Sequence, residues 1–192
     1  MSASDRQDVL EALVLYIAHA TKRDASFGRT KLAKVLFYSD FDSYRDAGMS
    51  LTGATYERWQ FGPFPRDLLD LERRLERTGK ASLDYDVPEG EEKKIVPGVD
   101  PPNLRELIEP WQVTLIDTYI RQFREQTSRE VSDESHQHPG WRMAQELEVI
   151  PYETAFLPSG PPRTDQVERA KEIARDQGWL TDDGFVWERR ST

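Results

Sequence analysis

The residues with the most obvious potential for chemistry are two histidines and a carboxylate close together in the sequence. His136-Gln137-His138 follows Glu134, and imidazole nitrogens and carboxylate oxygens are ligands that transition metals accept. A closed metal site needs more ligands at defined geometry, and the chain has three histidines and no cysteine. We therefore interpret His136 as a structural residue that forms a local hydrogen bond, and we expect neither a metal ion nor another cofactor.

Other catalytic arrangements are not evident in the sequence. Gly28-Arg29-Thr30-Lys31 lacks the Gly-Lys-Ser/Thr end of a phosphate-binding P-loop. The carboxylates show no spacing typical of a general acid and base, and a chain without cysteine has no thiol nucleophile. The sequence thus gives no positive indication of an enzyme.

Length and composition narrow the class of protein. A chain of 192 residues suits one domain with a small appendage. Its formal net charge of −9 argues against a nucleic-acid-binding protein, because phosphate contacts need a basic face, but it suits attraction of a basic protein partner. The sequence has no signal-peptide pattern and no apolar run of membrane length, which predicts a cytoplasmic location without membrane contact.

The element that must position these residues is an unusually apolar helical segment from Lys31 to Gly48. Its apolar residues fall on two adjacent helical faces, as in a helix enclosed by its neighbours. Gly48 is placed to end the helix in a left-handed conformation. The residues on the two faces are Leu32, Val35, Leu36, Phe37, Tyr38, Ser39, Phe41 and Tyr44. We predict that this helix is the centre of the fold.

An aromatic segment follows the central helix. Tyr56 to Phe61 alternates aromatic and polar residues, which indicates a strand. Gly62-Pro63-Phe64-Pro65 predicts a break in regular structure, since proline lacks an amide donor. Two short strand patterns between residues 82 and 96 predict a hairpin able to pair with the 56–61 strand. The expected fold is therefore mostly α (α+β), a compact helical domain with a small antiparallel sheet.

The later chain predicts further helices and a boundary. Pro110 suits the first turn of a helix, and Thr127 with Glu130 fits a capping box. Trp141, Ala144 and Leu147 are spaced as the buried face of another helix. A segment rich in proline and glycine begins at Pro158, so we expect a main domain over residues 1–157 and a helix with a short β extension over 158–192, packed on that domain.

Three segments, in order along the chain, resemble one known family. Lys31 to Pro65 resembles the opening of the Panacea domain, also called the SocA-like antitoxin domain, with a Lys-Leu-x-Lys helix, a small-residue linker and a strand ending in Gly-Pro. Ser135-His136 with Pro139-Gly140-Trp141 resembles the Ser/Thr-His and Pro-Trp pair of that family, and Ile150 to Ala155 resembles its closing segment. The motif residues to which we give structural roles are Lys31, Leu32, Leu36, Tyr38, Gly62, Pro63, His136 and Trp141.

The resemblance implies an antitoxin that binds a cognate toxin directly and blocks its action. A basic toxin that inhibits translation, for example by modifying tRNA, is one class of partner that it suggests. A second implied function is that of a proteolytic adaptor that delivers the toxin to ClpXP. A third, of a different class, is an enzyme that reverses the modification made by the toxin.

Two surfaces are candidates for toxin binding. The first is the aromatic corner, which we define as Trp59, Phe61, Phe64 and Pro65, because buried aromatic residues dominate many protein interfaces. The same residues are also the types that a folding core uses. The second is the acidic segment 84–109, with a net charge of −5, in which Glu89, Glu91 and Glu92 would mainly affect the association rate.

Overall fold

The structure is a computed structural model that describes residues 3–84 and 93–158 and ten further residues between 168 and 185. The chain divides into two units, Met1–Leu157 and Pro158–Thr192. The described part of the first unit contains six α-helices and two β-hairpins. The helices are α1 (Ala3–Ala20), α2 (Arg29–Ala47), α3 (Leu68–Arg77), α4 (Pro110–Arg124), α5 (Ser128–Ser135) and α6 (Pro139–Met143). Short 3-10 helices span Leu104–Glu106 and Tyr152–Phe156. No helix among the described residues is long and apolar enough to cross a membrane.

Helix α2 lies at the centre of the first unit, as predicted. Ala33, Val35 and Phe37 are fully buried, and α1, α4 and α5 pack around the helix. Gly48 ends it with φ +72, and the amide of this glycine donates to the carbonyl of Tyr44 at 2.8 Å. Only glycine adopts this left-handed conformation without a steric cost. The prediction of a mostly helical fold built around this helix is confirmed.

The two hairpins form separate sheets. Strand β1 (Tyr56–Trp59) pairs antiparallel with β2 (Gly62–Pro65), and β3 (Ala81–Asp84) pairs antiparallel with β4 (Lys94–Pro97). The predicted pairing between the 56–61 strand and the 82–96 region is therefore wrong. The prediction that Gly62 to Pro65 breaks regular structure is also wrong, because these residues form β2 itself.

The register of the first hairpin explains how two prolines fit into a strand. Pro63 lies opposite Arg58, and Pro65 lies opposite Tyr56. The backbone groups of Arg58 and Tyr56 bond instead to residues 147–150 on the other side of β1. Because ladder hydrogen bonds alternate along an antiparallel pair, the two prolines stand where β2 needs no amide donor.

The helix ends also follow from the local sequence, with one exception. Pro110 opens α4, and Thr127 forms the predicted capping box, in which its hydroxyl accepts from the amide of Glu130 at 3.2 Å. Helix α6 ends at Met143, and Leu147 is 60% exposed with φ +61, so its predicted place on a buried helical face is wrong. After α6 the chain leaves the helical path because it bonds to β1. The carbonyl of Arg58 accepts from the amide of Leu147 at 2.8 Å.

A buried carboxylate connects α2 to the chain that follows it. Asp40 is fully buried and accepts hydrogen bonds from the amide and hydroxyl of Thr52, from Tyr56 at 2.8 Å and from Tyr152 at 3.3 Å. Burial raises the pKa of Asp40, while these hydrogen bonds act in the opposite direction. The network fixes β1 and the 3-10 helix at Tyr152 against the centre of α2.

The second unit is described only in part. The described residues between 168 and 176 are helical, within the helix predicted for this region. Strand β5 (Leu180–Thr181) pairs antiparallel with β6 (Gly184–Phe185).

Candidate functional site

The aromatic corner divides into a buried part and an exposed part. Trp59 and Phe64 stack with ring centroids 4.5 Å apart, and Phe64 is only 7% exposed. Pro65 is buried beside them, and Trp59 is half-buried. Phe61, in the turn between β1 and β2, is 61% exposed. Phe61 and part of Trp59 are therefore the members that a partner can reach.

Residue 62 must be glycine because side chains of α2 and α5 lie close to its backbone. Gly62 has φ +98, and a Cβ atom on it would lie 2.6 Å from Cε of Lys34 and closer still to the Ser135 hydroxyl. The ammonium of Lys34, which is 1% exposed, donates to the carbonyl of Pro63 at 3.0 Å. The Gly-Pro pair thus has a packing role between α2 and α5.

The other motif residues of α2 lie in the interior. Lys31 is fully buried, donates to the hydroxyl of Ser26 at 3.0 Å, and places its ammonium 5.5 Å from the centroid of the Phe27 ring. Leu32 and Leu36 belong to the core. The fourth, Tyr38, is half-buried and stacks on Tyr119, and burial raises the pKa of its hydroxyl well above the ordinary value. These four positions face neighbouring elements rather than an open site.

His136 and Trp141 form a stacked group with Arg58. The ring centroids of His136 and Trp141 lie 3.9 Å apart, and the guanidinium of Arg58 lies 4.3 Å from the centroid of the Trp141 ring. The indole nitrogen of Trp141 donates to the carbonyl of Trp59 at 3.0 Å, so this half-buried ring anchors β1. Burial and the nearby Lys34 ammonium lower the pKa of His136. The stack explains the spacing of the histidine at the end of α5 and the tryptophan in α6.

The neighbouring histidine has a different environment. His138 packs edge-on against Phe37 and Phe41, and burial lowers its pKa to about 4. Its Nδ1 accepts from the amide of Gly140 at 3.1 Å, which caps α6. Among the residues that the structure describes, no group of three or more His, Asp or Glu side chains is arranged to hold a metal ion.

A cleft of about 630 Å³ opens beside the aromatic corner. Its lining combines aromatic and aliphatic side chains with basic side chains from distant parts of the sequence. The lining includes Arg29, Lys34, Trp59, Phe61, Phe64, Lys93, Glu146 and Leu147. The sequence patterns did not identify Arg29, Lys93 or Leu147 as site residues, because no motif connects positions so far apart.

An ion pair and a backbone bond fix the positions of two basic residues that line the cleft. The guanidinium of Arg29 binds the carboxylate of Glu72 through two hydrogen bonds of 2.8 and 2.5 Å, and Glu72 is 2% exposed. The amide of Arg29 donates to the carbonyl of Lys93 at 3.0 Å. The start of α2 is thereby held against α3 and against the residue before β4, and Arg29 and Lys93 line the same cleft.

The second predicted surface is the acidic segment. Glu89, Glu91 and Glu92 lie outside the described residues. The geometry of a candidate site therefore comes from the aromatic corner and its cleft.

Comparison with known protein families identifies the family of this chain. The model of the family described as "Antitoxin SocA-like, Panacea domain" matches residues 32–142. The chain belongs to this family. The Panacea match begins in α2, includes both hairpins and ends just after Trp141, which confirms the predicted family. The predicted resemblance of Ile150 to Ala155 to the closing segment lies outside the match. No curated protein and no solved structure matches the chain.

Proposed function

We propose that this protein is an antitoxin that neutralises a cognate protein toxin by direct, stoichiometric, non-enzymatic binding. Membership of the SocA-like antitoxin family is the observation that carries the proposal. The formal net charge of −9 suits a basic toxin, and translation-inhibiting toxins that grip anionic RNA are one such class.

The side chains best suited to acid–base chemistry support a binding role over turnover. His136 is stacked on Trp141, and His138 is held among aromatic rings with its Nδ1 engaged. The carboxylate of Asp40 is enclosed by hydroxyl donors in the core. These groups have positioning contacts that account for them without a substrate.

The aromatic corner is the proposed contact surface. Phe61 projects from a two-residue turn on a hairpin that is fixed by the buried stack of Trp59 on Phe64. An aromatic side chain has only two torsions to lose when a partner covers it, which favours a strong contribution to binding.

The proposal is tested by co-expression with the protein encoded by the reading frame that adjoins the gene. We expect growth rescue by the wild-type chain in a host that lacks ClpXP, because direct binding needs no protease. Phe61→Ser should weaken rescue, whereas Phe156→Ser, at a residue of matched exposure (60%) outside the cleft, should retain it. Rescue that occurs only when ClpXP is present would contradict direct neutralisation and favour the adaptor.

A further inference from the structure

We propose that the cleft beside the aromatic corner receives an apolar side chain of the toxin, and that Glu146 pairs there with a lysine or arginine that lies next to this side chain in the toxin. This inference rests on the proposed function and adds the chemistry of the partner surface. It assigns the apolar contact to Phe61 and Leu147, and it makes Glu146 the residue that selects the partner by charge.

The three basic residues that line the cleft are already engaged within the protein. The guanidinium of Arg29 binds the carboxylate of Glu72 through two hydrogen bonds. The ammonium of Lys34 is buried and donates to the carbonyl of Pro63, and Lys93 has an interaction of its own. These interactions hold together the chain around the cleft, and they give no reason to expect an anion in it.

The carboxylate of Glu146 differs from these cations. Glu146 is the single acidic residue among the described residues of the lining, and it is exposed. Its side chain makes no hydrogen bond or ion pair with any residue that the structure describes, whereas Glu148 accepts from the amide of Gln145 at 2.6 Å. An exposed carboxylate of this kind can gain a charge-assisted hydrogen bond from a cation of the partner, and the net charge of −9 favours the approach of a basic one.

The apolar residues of the cleft indicate a protein partner and not a small molecule. Phe61 and Leu147 line the cleft and are 61% and 60% exposed, and Trp59, Phe64 and Leu69 contribute to the same lining. A small molecule enclosed by the cleft would leave much of the two exposed side chains in water, whereas a protein surface would cover them. An apolar side chain anchored in such a cleft is the usual source of most of the binding energy at an interface.

The backbone at Leu147 adds an independent observation. Leu147 is the only non-glycine residue with positive φ among those described, at +61, and its amide donates to the carbonyl of Arg58. Glycine would adopt this conformation without a steric cost, but a residue with a Cβ atom does not. Backbone strain of this kind is typical of positions that serve binding, and here it is found at one of the two exposed apolar residues of the cleft.

A display library of random peptides, selected on the full-length protein, tests this chemistry directly. We expect enrichment of sequences in which lysine or arginine lies beside an aromatic or large aliphatic residue. Phe61→Ser and Leu147→Gly should each weaken binding of a selected peptide about tenfold or more. Leu147→Gly removes the side chain at a position where glycine accepts the positive φ. Phe156→Ser, at a residue of matched exposure outside the cleft, should bind as the wild type does.

Glu146→Lys tests the charged contact. It replaces an attraction by a repulsion and should weaken binding about fivefold. Glu125→Lys makes the same change in net charge at an exposed glutamate outside the cleft and should bind as the wild type does. A peptide whose basic residue is replaced by glutamate should bind Glu146→Lys more tightly than it binds the wild type. Thermal unfolding of each variant verifies that it is folded.

Several outcomes would overturn the inference. They are enrichment of acidic peptides, no enrichment of apolar residues, and equal binding by the cleft variants and their controls. Equal losses for Glu146→Lys and Glu125→Lys would assign the charge effect to the net charge and would remove Glu146 from the site. Self-association of the protein that both Phe61→Ser and Leu147→Gly abolish would assign the cleft to a second copy of the chain.

Failure of this inference is distinguishable from failure of the proposed function. If the toxin is neutralised equally by the wild type, Leu147→Gly and Glu146→Lys, the antitoxin function stands and the assignment of the cleft falls. If the wild type does not neutralise the toxin, the function itself falls.

Discussion

Gly62 and Lys34 lie so close together that a Cβ atom on residue 62 would stand 2.6 Å from Cε of the lysine. The ammonium of the same lysine donates to the carbonyl of Pro63, the next residue of β2. Helix α2 and strand β2 therefore pack tightly against each other at this point. Two parts of the family motif that are separated in the sequence meet at this contact.

Gly62→Ala should destabilise the protein more than the same change at Gly48. Both glycines have positive φ, but a Cβ at residue 48 meets nothing within 4 Å. We expect a loss of about 1 kcal/mol for Gly48→Ala from backbone strain, and of about 2–5 kcal/mol for Gly62→Ala from strain plus overpacking. Urea unfolding of the two variants measures the difference, and equal losses would show that the Gly62 contact is not tight.

Leu36→Ala tests the central position of α2. Leu36 is 1% exposed, so truncation leaves a cavity and should lower the free energy of unfolding by about 2–5 kcal/mol. Met49→Ala, at a residue that is 68% exposed, is the control and should change stability by less than about 0.5 kcal/mol. Chemical denaturation is the measurement, and a stability change at residue 36 as small as at residue 49 would refute a buried central helix.

Tyr56→Phe tests the network around Asp40. The variant removes one hydroxyl donor to a buried carboxylate and keeps the ring, so we expect a loss of about 1.5–3 kcal/mol. Tyr44→Phe removes an exposed hydrogen bond to Glu153 and should cost less than about 0.5 kcal/mol. Denaturant unfolding of both variants at neutral pH gives the comparison. A loss at residue 56 no larger than that at residue 44 would mean that the network contributes little to stability.

His138 should make the protein less stable in acid. Burial lowers its pKa in the folded state to about 4, against about 6.5 in the unfolded chain, so the unfolded state binds more protons between these values. His138 does not lower the free energy of unfolding above pH 6.5. The loss of stability grows as the pH falls and reaches roughly 3 kcal/mol below pH 4.

His138→Asn isolates this effect. Asparagine can cap α6 as the histidine does, but it does not titrate. The difference in unfolding free energy between the wild type and the variant should therefore decrease as the pH falls from 7 to 4. A difference that is constant over this range would contradict the predicted titration of His138.

Much of the first unit could be predicted because local patterns and packing agree there. The two apolar faces of α2, the capping box at Thr127 and the left-handed Gly48 all appear in the structure as their residue types require. The strand at Gly62 was missed because proline usually excludes a strand. Its acceptability depends on residues 147–150, which occupy the other side of β1 and are distant in sequence.

The candidate site was predictable only in part. Phe61 and Trp59 were identified by residue type, but the sequence could not distinguish them from Phe64, which is buried by its stack on Trp59. The place of Arg29 in the cleft was missed because it depends on the ion pair with Glu72, which spans two helices. Tertiary contacts of this kind leave no periodic signal in a single sequence.

Titration of the purified protein into an activity assay of its toxin, without any protease, tests the central proposal most directly. A binding antitoxin predicts inhibition that grows in proportion to the antitoxin added and saturates at a fixed molar ratio. Complete protection at a small fraction of that ratio would contradict stoichiometric binding and would show that the protein acts as an enzyme on the toxin or its product.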